Sequence, residues 1–176
     1  MKTKLIISSL FVSSVLMSTA HAADGLVKFT GKVTASACKV DSGSIDQTVN
    51  LGTISASSFS GIHSTSAPTR FSIKLTDCPT EYKTAQVKFD GQTDRSNSRL
   101  LALTSNTGAA TARGVAIALY EDDGNSMINM AESSRPQRLS GQKTDELSFV
   151  AKYIATTAKV EPGAGDAVAN FTITYN

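Results

Sequence analysis

The chain has 176 residues, of which 40% are hydrophobic, 6% are aromatic and 18% are charged. This length corresponds to about one domain, since domains typically contain roughly 100–200 residues. The formal net charge is +2, from 17 basic and 15 acidic side chains. A balance this close to neutrality argues against binding of nucleic acids or anionic membranes through bulk electrostatics.

The first 22 residues have the pattern of a secretory signal. Lys2 and Lys4 precede an apolar run from Leu5 to Met17, and Ala20-His21-Ala22 supplies small residues before a cleavage site. Cleavage is predicted after Ala22, and the apolar run is too short for a membrane span. Removing the segment, which has two lysines and no acid, leaves 154 residues (176 − 22) with 15 basic and 15 acidic side chains. The exported chain is therefore neutral, and nucleic acid is excluded as a partner.

Alternation of apolar and polar residues dominates the rest of the chain, without a long helical stripe. Such alternation predicts strands with one buried face. In the run 115–119, Ala116 and Ala118 lie opposite larger apolar residues, which predicts a strand covered on both faces. Many short strands in about 150 residues predict one domain built as a two-sheet antiparallel sandwich. The predicted strands are 27–33, 70–75, 85–89, 115–119, 147–153 and 169–175, and the predicted turns are 41–43, 90–91, 123–125, 140–141 and 162–163.

The two cysteines, Cys38 and Cys78, lie in the exported part, where oxidation is favoured. A bridge between them closes a loop of 41 residues (78 − 38 + 1), which stabilises a fold by about 4 kcal/mol in the chain-entropy model. Two buried free thiols are the alternative. The single histidine of the exported part, His63, lies in a Ser/Thr-rich loop without close-spaced ligands, so no metal and no cofactor is expected.

Three short motifs have an ordinary structural explanation. Glu121–Asn125 contains acids as in part of a calcium loop, but Asp-Gly between two strands is a strong hairpin signal. Pro162–Gly165 lacks the strand–helix context of a phosphate loop, and Asn170–Thr172 matches a glycosylation sequon inside a predicted strand. A catalytic serine or cysteine needs a base within hydrogen-bond reach, and no nucleophile motif surrounds His63. The sequence therefore predicts a protein that is not an enzyme and has no catalytic residues.

The C-terminal end of the exported chain carries a specific combination of residues. Tyr175 is a penultimate aromatic residue, and Gly163 is fourteenth from the end when Asn176 is counted as first. Together with the cysteines and the signal segment, this combination resembles the type 1 fimbrial subunits of the chaperone–usher pathway. The resemblance covers essentially all of the exported chain. Its matching stretches are Gly25–Cys38, Leu100–Leu103, Phe71–Cys78, Gly114–Leu119, Phe149–Ala155 and Ala167–Asn176.

The resemblance implies an all-β, immunoglobulin-like antiparallel sandwich that lacks its final strand. Residues 35–176 are expected to form this incomplete domain, preceded by a donor-strand extension at 23–34. A missing strand exposes core side chains along a groove and leaves a sheet edge unpaired. In this family a periplasmic chaperone first fills the groove, and at the outer-membrane usher the extension of the next subunit replaces the chaperone strand. The expected location is a fimbrium on the bacterial cell surface, reached through the periplasm.

The extension has the apolar face expected of a donor strand. Lys28, Thr30 and Lys32 alternate with that face, whereas Leu26 breaks the strict pattern. The alternative, which composition alone favours, is an ordinary first strand of the chain's own domain, and the resemblance reverses that preference. The residues assigned to the donor strand are Gly25, Val27, Phe29, Gly31 and Val33.

The C-terminal strand is expected to provide the accepting edge of the groove. The resemblance implies that its apolar face belongs to the core, that its free edge pairs with the incoming strand, and that the same strand docks against the chaperone. The residues assigned to this C-terminal groove and chaperone strand are Gly163, Ala169, Phe171, Ile173 and Tyr175.

The function implied by the resemblance is that of a structural subunit of an adhesive fimbria. Its partners are expected to be neighbouring fimbrial subunits, the chaperone and the usher. The alternative is a minor adaptor or tip-proximal subunit that binds a glycan or host receptor through loops such as Ser55–Ala67 or Glu132–Gly141. Tip adhesins of the family carry an additional lectin domain, for which 154 residues leave no room, so a host receptor is expected only through the assembled fibre.

Overall fold

The computed structural model describes residues 24–34, 36–104 and 108–176. The chain divides into two units, Met1–Val33 and Thr34–Asn176. The predicted signal segment and the cleavage site after Ala22 lie outside the described residues. In the first unit, residues 24–33 are exposed and contain neither a helix nor a strand.

The second unit is an all-β fold whose strands all pair antiparallel. Among the described residues it has two helical elements, of four and three residues, and neither is long and apolar enough to cross a membrane. In chain order the elements are β1 (Lys39–Val40), α1 (Ser42–Ile45), a 3-10 turn (Ala56–Ser58), β2 (Thr69–Thr76), β3 (Thr84–Gly91), β4 (Val115–Glu121), β5 (Met127–Ile128), β6 (Gln137–Arg138), β7 (Thr144–Ala155) and β8 (Ala169–Tyr175).

The strands form two sheets, one with the order β1-β2-β7-β4-β5 and the other with the order β6-β3-β8. The five long strands β2, β3, β4, β7 and β8 lie where the alternation of the sequence predicts them. The predicted all-β class with two antiparallel sheets is therefore confirmed. The sequence interval 27–33, predicted as a strand, is not in a strand in this chain.

The core lies between the two sheets. Three phenylalanine rings meet there: Phe149 of β7 is 5.2 Å from Phe89 of β3 and 5.6 Å from Phe71 of β2, measured between ring centroids. Fully burying a side chain of this size stabilises the folded state by about 1.5–3 kcal/mol. The strands supply these side chains because alternate residues of a strand point to the same face. The best-buried apolar members of this cluster are Ile73, Leu75, Ala85, Val87, Leu147 and Phe149.

Strand β4 is covered on both faces, as the sequence predicts. All seven of its residues are buried. Its outer face belongs to a second apolar cluster, in which Ala116, Ala118 and Tyr120 pack with Leu100. The outer face of β4 is therefore not exposed to solvent.

The acidic segment Glu121–Asn125 forms the turn between β4 and β5, as predicted. The Asp123 carboxylate accepts hydrogen bonds from the Ser126 hydroxyl at 2.6 Å and from the backbone N–H groups of Ser126 and Asn125 at 2.8 Å each. These bonds, with a smaller contribution from Arg135, lower the pKa of Asp123 to about 2. The carboxylate therefore closes a hairpin turn.

The prediction of a turn at Asp90-Gly91 is wrong. Both residues belong to β3, where Gly91 pairs with Ala169 of β8. A Cβ atom at Gly91 would lie 2.9 Å from the Val168 carbonyl oxygen and 2.6 Å from Leu101 Cδ1. Glycine is present here because other atoms approach the backbone closely, which is a common reason for a glycine inside a strand.

Candidate functional site

Strand β8 forms one edge of the three-stranded sheet. It pairs with β3 along its whole length, from Gly91 opposite Ala169 to Ala85 opposite Tyr175. No other strand of the described ranges pairs with its second edge. An edge of this kind presents unpaired N–H and C=O groups, and it can therefore template the addition of a further strand.

The inward face of β8 is covered less completely than that of β3. The β3 side chains of Ala85, Val87 and Phe89 have exposed fractions of 0%, 0% and 4%. The apolar residues of β8 pack against the same core but are only partly buried. Since they lie directly opposite the β3 residues, the difference in burial indicates that cover is lacking on the free side of β8. These β8 residues are Ala169, Phe171, Ile173 and Tyr175.

The opposite edge of this sheet is closed by the chain itself. Backbone N–H groups of Ala131 and Ser134 donate to the carbonyl oxygens of Phe89 and Val87, both at 2.8 Å. The buried Ser134 hydroxyl accepts a hydrogen bond from the Val87 N–H at 2.9 Å, replacing a strand partner. Strand β6 pairs with the beginning of β3. Among the described residues, the edge of β3 that faces away from β8 is therefore occupied, whereas β8 has a free edge along its whole length.

Residues 46–54 form a second unpaired segment, which the sequence analysis did not identify. Apart from bonds within helix α1, this segment makes no backbone–backbone hydrogen bond among the described residues. Its apolar residues Val49, Leu51 and Ile54 are nevertheless partly buried, and Leu51 packs against the main core. Partly buried backbone normally has a hydrogen-bonding partner. The alternation of Val49 and Leu51 with polar neighbours was the available sequence signal, but it spans too few residues to be decisive.

Residues 52–54 and the loop that leads into β8 line a common cavity of about 390 Å³. Gly52 and Ile54 line it together with Gly163, Gly165 and apolar residues such as Phe59 and Leu103. The Tyr153 hydroxyl, in the same lining, donates to the Gly165 carbonyl oxygen at 2.8 Å. Burial, and to a lesser degree the Asp166 carboxylate, raises the pKa of Tyr153. The loop that leads into β8 is thus held in place beside residues 52–54.

Gly163 lies in this loop, outside β8. A Cβ atom at this position would lie 2.6 Å from the Ala110 carbonyl oxygen and would also collide with the backbone nitrogen of Ala112. The neighbouring Ala164 pairs with the same segment, donating to Ala110 O at 2.8 Å and accepting from Ala112 N–H at 2.9 Å. The glycine is therefore explained by close contact between two backbone segments.

The C-terminal end of β8 is fixed by backbone pairing and by aromatic contact. Asn176 N–H donates to the Thr84 carbonyl oxygen at 2.9 Å, and Thr84 N–H donates back at 3.0 Å. The Tyr175 and Tyr82 rings lie 5.2 Å apart between centroids. Burial, followed by the influence of Tyr82, raises the pKa of Tyr175.

The predicted disulfide bond is present between Cys38 and Cys78. It joins the segment before β1 to the residues that follow β2, and the alternative of two free thiols is excluded. His63 lies in a turn with a φ of 69°, and its backbone N–H donates to the Ala155 carbonyl oxygen at 2.9 Å. No group of three or more His, Cys, Asp or Glu side chains is placed to hold a metal ion in the part of the chain that the structure describes.

The residues assigned to the donor strand lie in the exposed first unit. The exposed fractions are 74% for Val27, 93% for Phe29 and 100% for Val33. Gly25 and Gly31 have open space around the position of a Cβ atom. Large apolar side chains exposed along one short segment are characteristic of a surface that is covered in an interaction.

A family model described as "Fimbrial protein" matches residues 27–176. The chain is 35% identical over 184 residues to "Fimbrial subunit type 1" of Salmonella typhimurium, covering 99% of this chain and 100% of the relative. It is 34% identical over 185 residues to "Type-1 fimbrial protein, A chain" of Escherichia coli, with coverage of 99% and 100%.

Two solved structures have a similar fold. An antigen and type I fimbria protein of Burkholderia pseudomallei is 34% identical, with a TM-score of 0.60 and coverage of 81% of this chain and 91% of that chain. The second is a chain from a structure of a chaperone–usher pilus that was solved to explain uncoiling of the rod. It is 25% identical to this chain, with a TM-score of 0.63 and coverage of 88% of this chain and 96% of that chain.

Proposed function

The chain belongs to the Fimbrial protein family, and on this premise we propose that it is a structural subunit of an adhesive fimbria that polymerises head-to-tail by donor-strand exchange. Its full-length relatives are fimbrial subunits, so the chain is a structural protein and not an enzyme. Residues 1–22 are the export signal, 23–34 the donor extension and 35–176 the accepting domain.

The single observation that carries this proposal is the free edge of β8 above a partly uncovered core. In this proposal the added strand lies along β8, with residues 46–54 on its other side, because both segments lack backbone partners among the described residues. Strand addition of this type combines main-chain hydrogen bonds with side-chain pockets on alternate residues. The accepting groove is therefore assigned to β8 and to residues 46–54.

The donor is the extension of a second copy. Burying Val27, Phe29 and Val33 makes the binding free energy more favourable by about 1.5–3 kcal/mol for each side chain, before the costs of association are subtracted. Each main-chain hydrogen bond adds about 0.5–1.5 kcal/mol net. Because the donor of one copy fits the groove of the next, the contact is heterologous and does not close, and repeated contacts of this kind build a filament.

Before assembly the same groove needs protection, since a free edge and an exposed apolar face favour aggregation. We assign this protection to a periplasmic chaperone that binds along β8 and delivers the subunit to the outer-membrane usher. The export signal predicted at residues 1–22 is consistent with this route. The fibre then extends from the bacterial cell surface.

The test is a charge placed on either face of the donor strand, in cells that contain the chaperone and the usher. Phe29→Arg places an unpaired charge in the apolar groove, which is costly. We expect the variant to be captured by the chaperone but to form no fibres in negative-stain images. Thr30→Arg adds the same charge on the outward face and is expected to give normal fibres. Long fibres from Phe29→Arg would contradict the donor assignment.

Immunogold labelling distinguishes the shaft subunit from the alternative of a minor adaptor near the tip. A shaft subunit is expected to be labelled along the whole fibre, and an adaptor only at its end. A glycan array with assembled fibres tests the receptor-binding role, and binding that depends on this subunit would favour the alternative.

A further inference from the structure

Thr34 is the first residue of the second unit, directly after the proposed donor residues. Its side-chain oxygen Oγ1 lies 3.0 Å from the hydroxyl of Tyr82. The same hydroxyl donates to the Ser36 carbonyl oxygen, also at 3.0 Å. One tyrosine therefore holds the point at which the extension begins.

Tyr82 is itself held by its surroundings. Its backbone N–H donates to the Pro79 carbonyl oxygen at 3.1 Å, in the turn between β2 and β3. Its ring packs against that of Tyr175, with 5.2 Å between centroids and 33° between planes. Tyr175 pairs with Ala85 in the sheet. Tyr82 is thus packed beside the C-terminal end of β8, the strand that forms the proposed accepting edge.

From this juxtaposition we propose that Tyr82 is a positioning residue for assembly, which fixes the origin of the donor extension relative to the groove of the same subunit. The inference rests on the proposed function, because the extension and the groove have these roles only in donor-strand exchange. In a fibre, the groove holds the preceding donor while the extension enters the next groove. Tyr82 therefore sets the angle between successive subunits.

The consequence of losing the hydroxyl follows from the covalent structure. The next fixed point along the chain is Cys38, which is bonded to Cys78. Residues 34–37 would then act as a flexible joint with a root-mean-square span of roughly 11 Å, taking about 5–6 Å times the square root of four residues. Successive subunits would adopt a wider range of angles although each subunit keeps its fold.

The experiment compares fibres assembled from the unaltered full-length chain, from Tyr82→Phe and from Thr34→Val. Tyr82→Phe keeps the ring packing and removes only the hydroxyl, while Thr34→Val removes the partner oxygen and leaves Tyr82 intact. The matched control is Tyr120→Phe, which removes a tyrosine hydroxyl on the outer face of β4. The measurements are hydrogen exchange over residues 34–38, the angle between neighbouring subunits in electron micrographs, and the melting temperature of the fibres.

We expect both variants to exchange faster over residues 34–38 by about 2- to 12-fold, the factor that corresponds to one hydrogen bond. The spread of inter-subunit angles should widen in both, with an unchanged melting temperature and with no change in Tyr120→Phe. Adding Thr34→Val to Tyr82→Phe should change the inter-subunit angles little further, because Tyr82→Phe already removes the contact with Thr34.

Normal exchange and unchanged angles in Tyr82→Phe would overturn the inference while leaving the proposed function intact. If Tyr82→Phe yields no fibres, Thr34→Val alone decides in the same way. Failure of the unaltered chain to form fibres through its extension would instead refute the proposed function, and the inference with it.

Discussion

The exposed extension allows the donor assignment to be tested with two substitutions of similar size. We consider a synthetic peptide of residues 23–34 that binds to a subunit beginning at Thr34. Phe29 and Leu26 are both largely exposed before binding, at 93% and 80%. When the extension is a strand they should lie on opposite faces, because residues whose numbers differ by an odd number point to opposite faces of a strand.

The expected magnitude follows from the exposed fraction. Because almost the whole Phe29 side chain is available for burial, Phe29→Ala should cost the peptide about 1.5–2.5 kcal/mol of binding free energy. This loss corresponds to a Kd about 10- to 60-fold higher. Leu26→Ala removes a comparable apolar side chain from the outward face, and its effect on Kd should stay within about threefold, as is usual for surface substitutions.

Fluorescence anisotropy of a labelled peptide gives Kd, and thermal unfolding with excess peptide gives an independent value, because ligand binding stabilises the folded state by mass action. Equal losses for Phe29→Ala and Leu26→Ala would refute the assignment of faces. A peptide that neither binds nor stabilises the subunit would refute the view that it completes the core.

Three further predictions concern the stability of the subunit itself. Cys38→Ser or Cys78→Ser should lower the free energy of unfolding by about 4 kcal/mol, as measured in denaturant, and an unchanged value would show that the bridge is dispensable. The Asp123 carboxyl should titrate by NMR with a midpoint at about 2, and a midpoint of 3.8 would contradict the turn geometry. Because folding lowers its pKa, the contribution of Asp123 to the free energy of unfolding is complete above its ordinary pKa. That contribution disappears as the pH falls from about 4 through about 2. Gly163→Ala should reduce the melting temperature because its Cβ meets backbone, whereas Gly31→Ala, with open space around it, should not; equal effects would contradict the explanation for Gly163.

The long strands were predictable because their own side chains define them. Strand β4 is the clearest case, since Ala116 and Ala118 predicted cover on both faces and both residues are buried. The disulfide was predictable because only one pairing exists. Gly91 was misassigned because the dipeptide Asp-Gly is typical of turns. The actual reason for a glycine at this position is the close approach of the Val168 carbonyl oxygen, and Val168 lies far away in the sequence.

The candidate site was only partly predictable, for a physical reason. The apolar residues of β8 show the alternation of a strand, but residues 46–54 show little, and in the described chain they have no backbone partner that would define them as one. Strands β1, β5 and β6 have two residues each, too few for a period of two to be recognised. Ser134 occupies the edge of β3 because its hydroxyl accepts the hydrogen bond of the Val87 N–H in place of a backbone carbonyl group. A single hydroxyl of this kind leaves no periodic pattern in the sequence.

The closed edge formed by Ser134 and its neighbours has a consequence for growth. If subunits polymerise as proposed, each one joins one neighbour through its extension and one through β8, so its valence is two and its polymers should be linear. Opening that second edge, for example by loss of the Ser134 hydroxyl and its bond to Val87, would create a site for lateral association between neighbouring filaments.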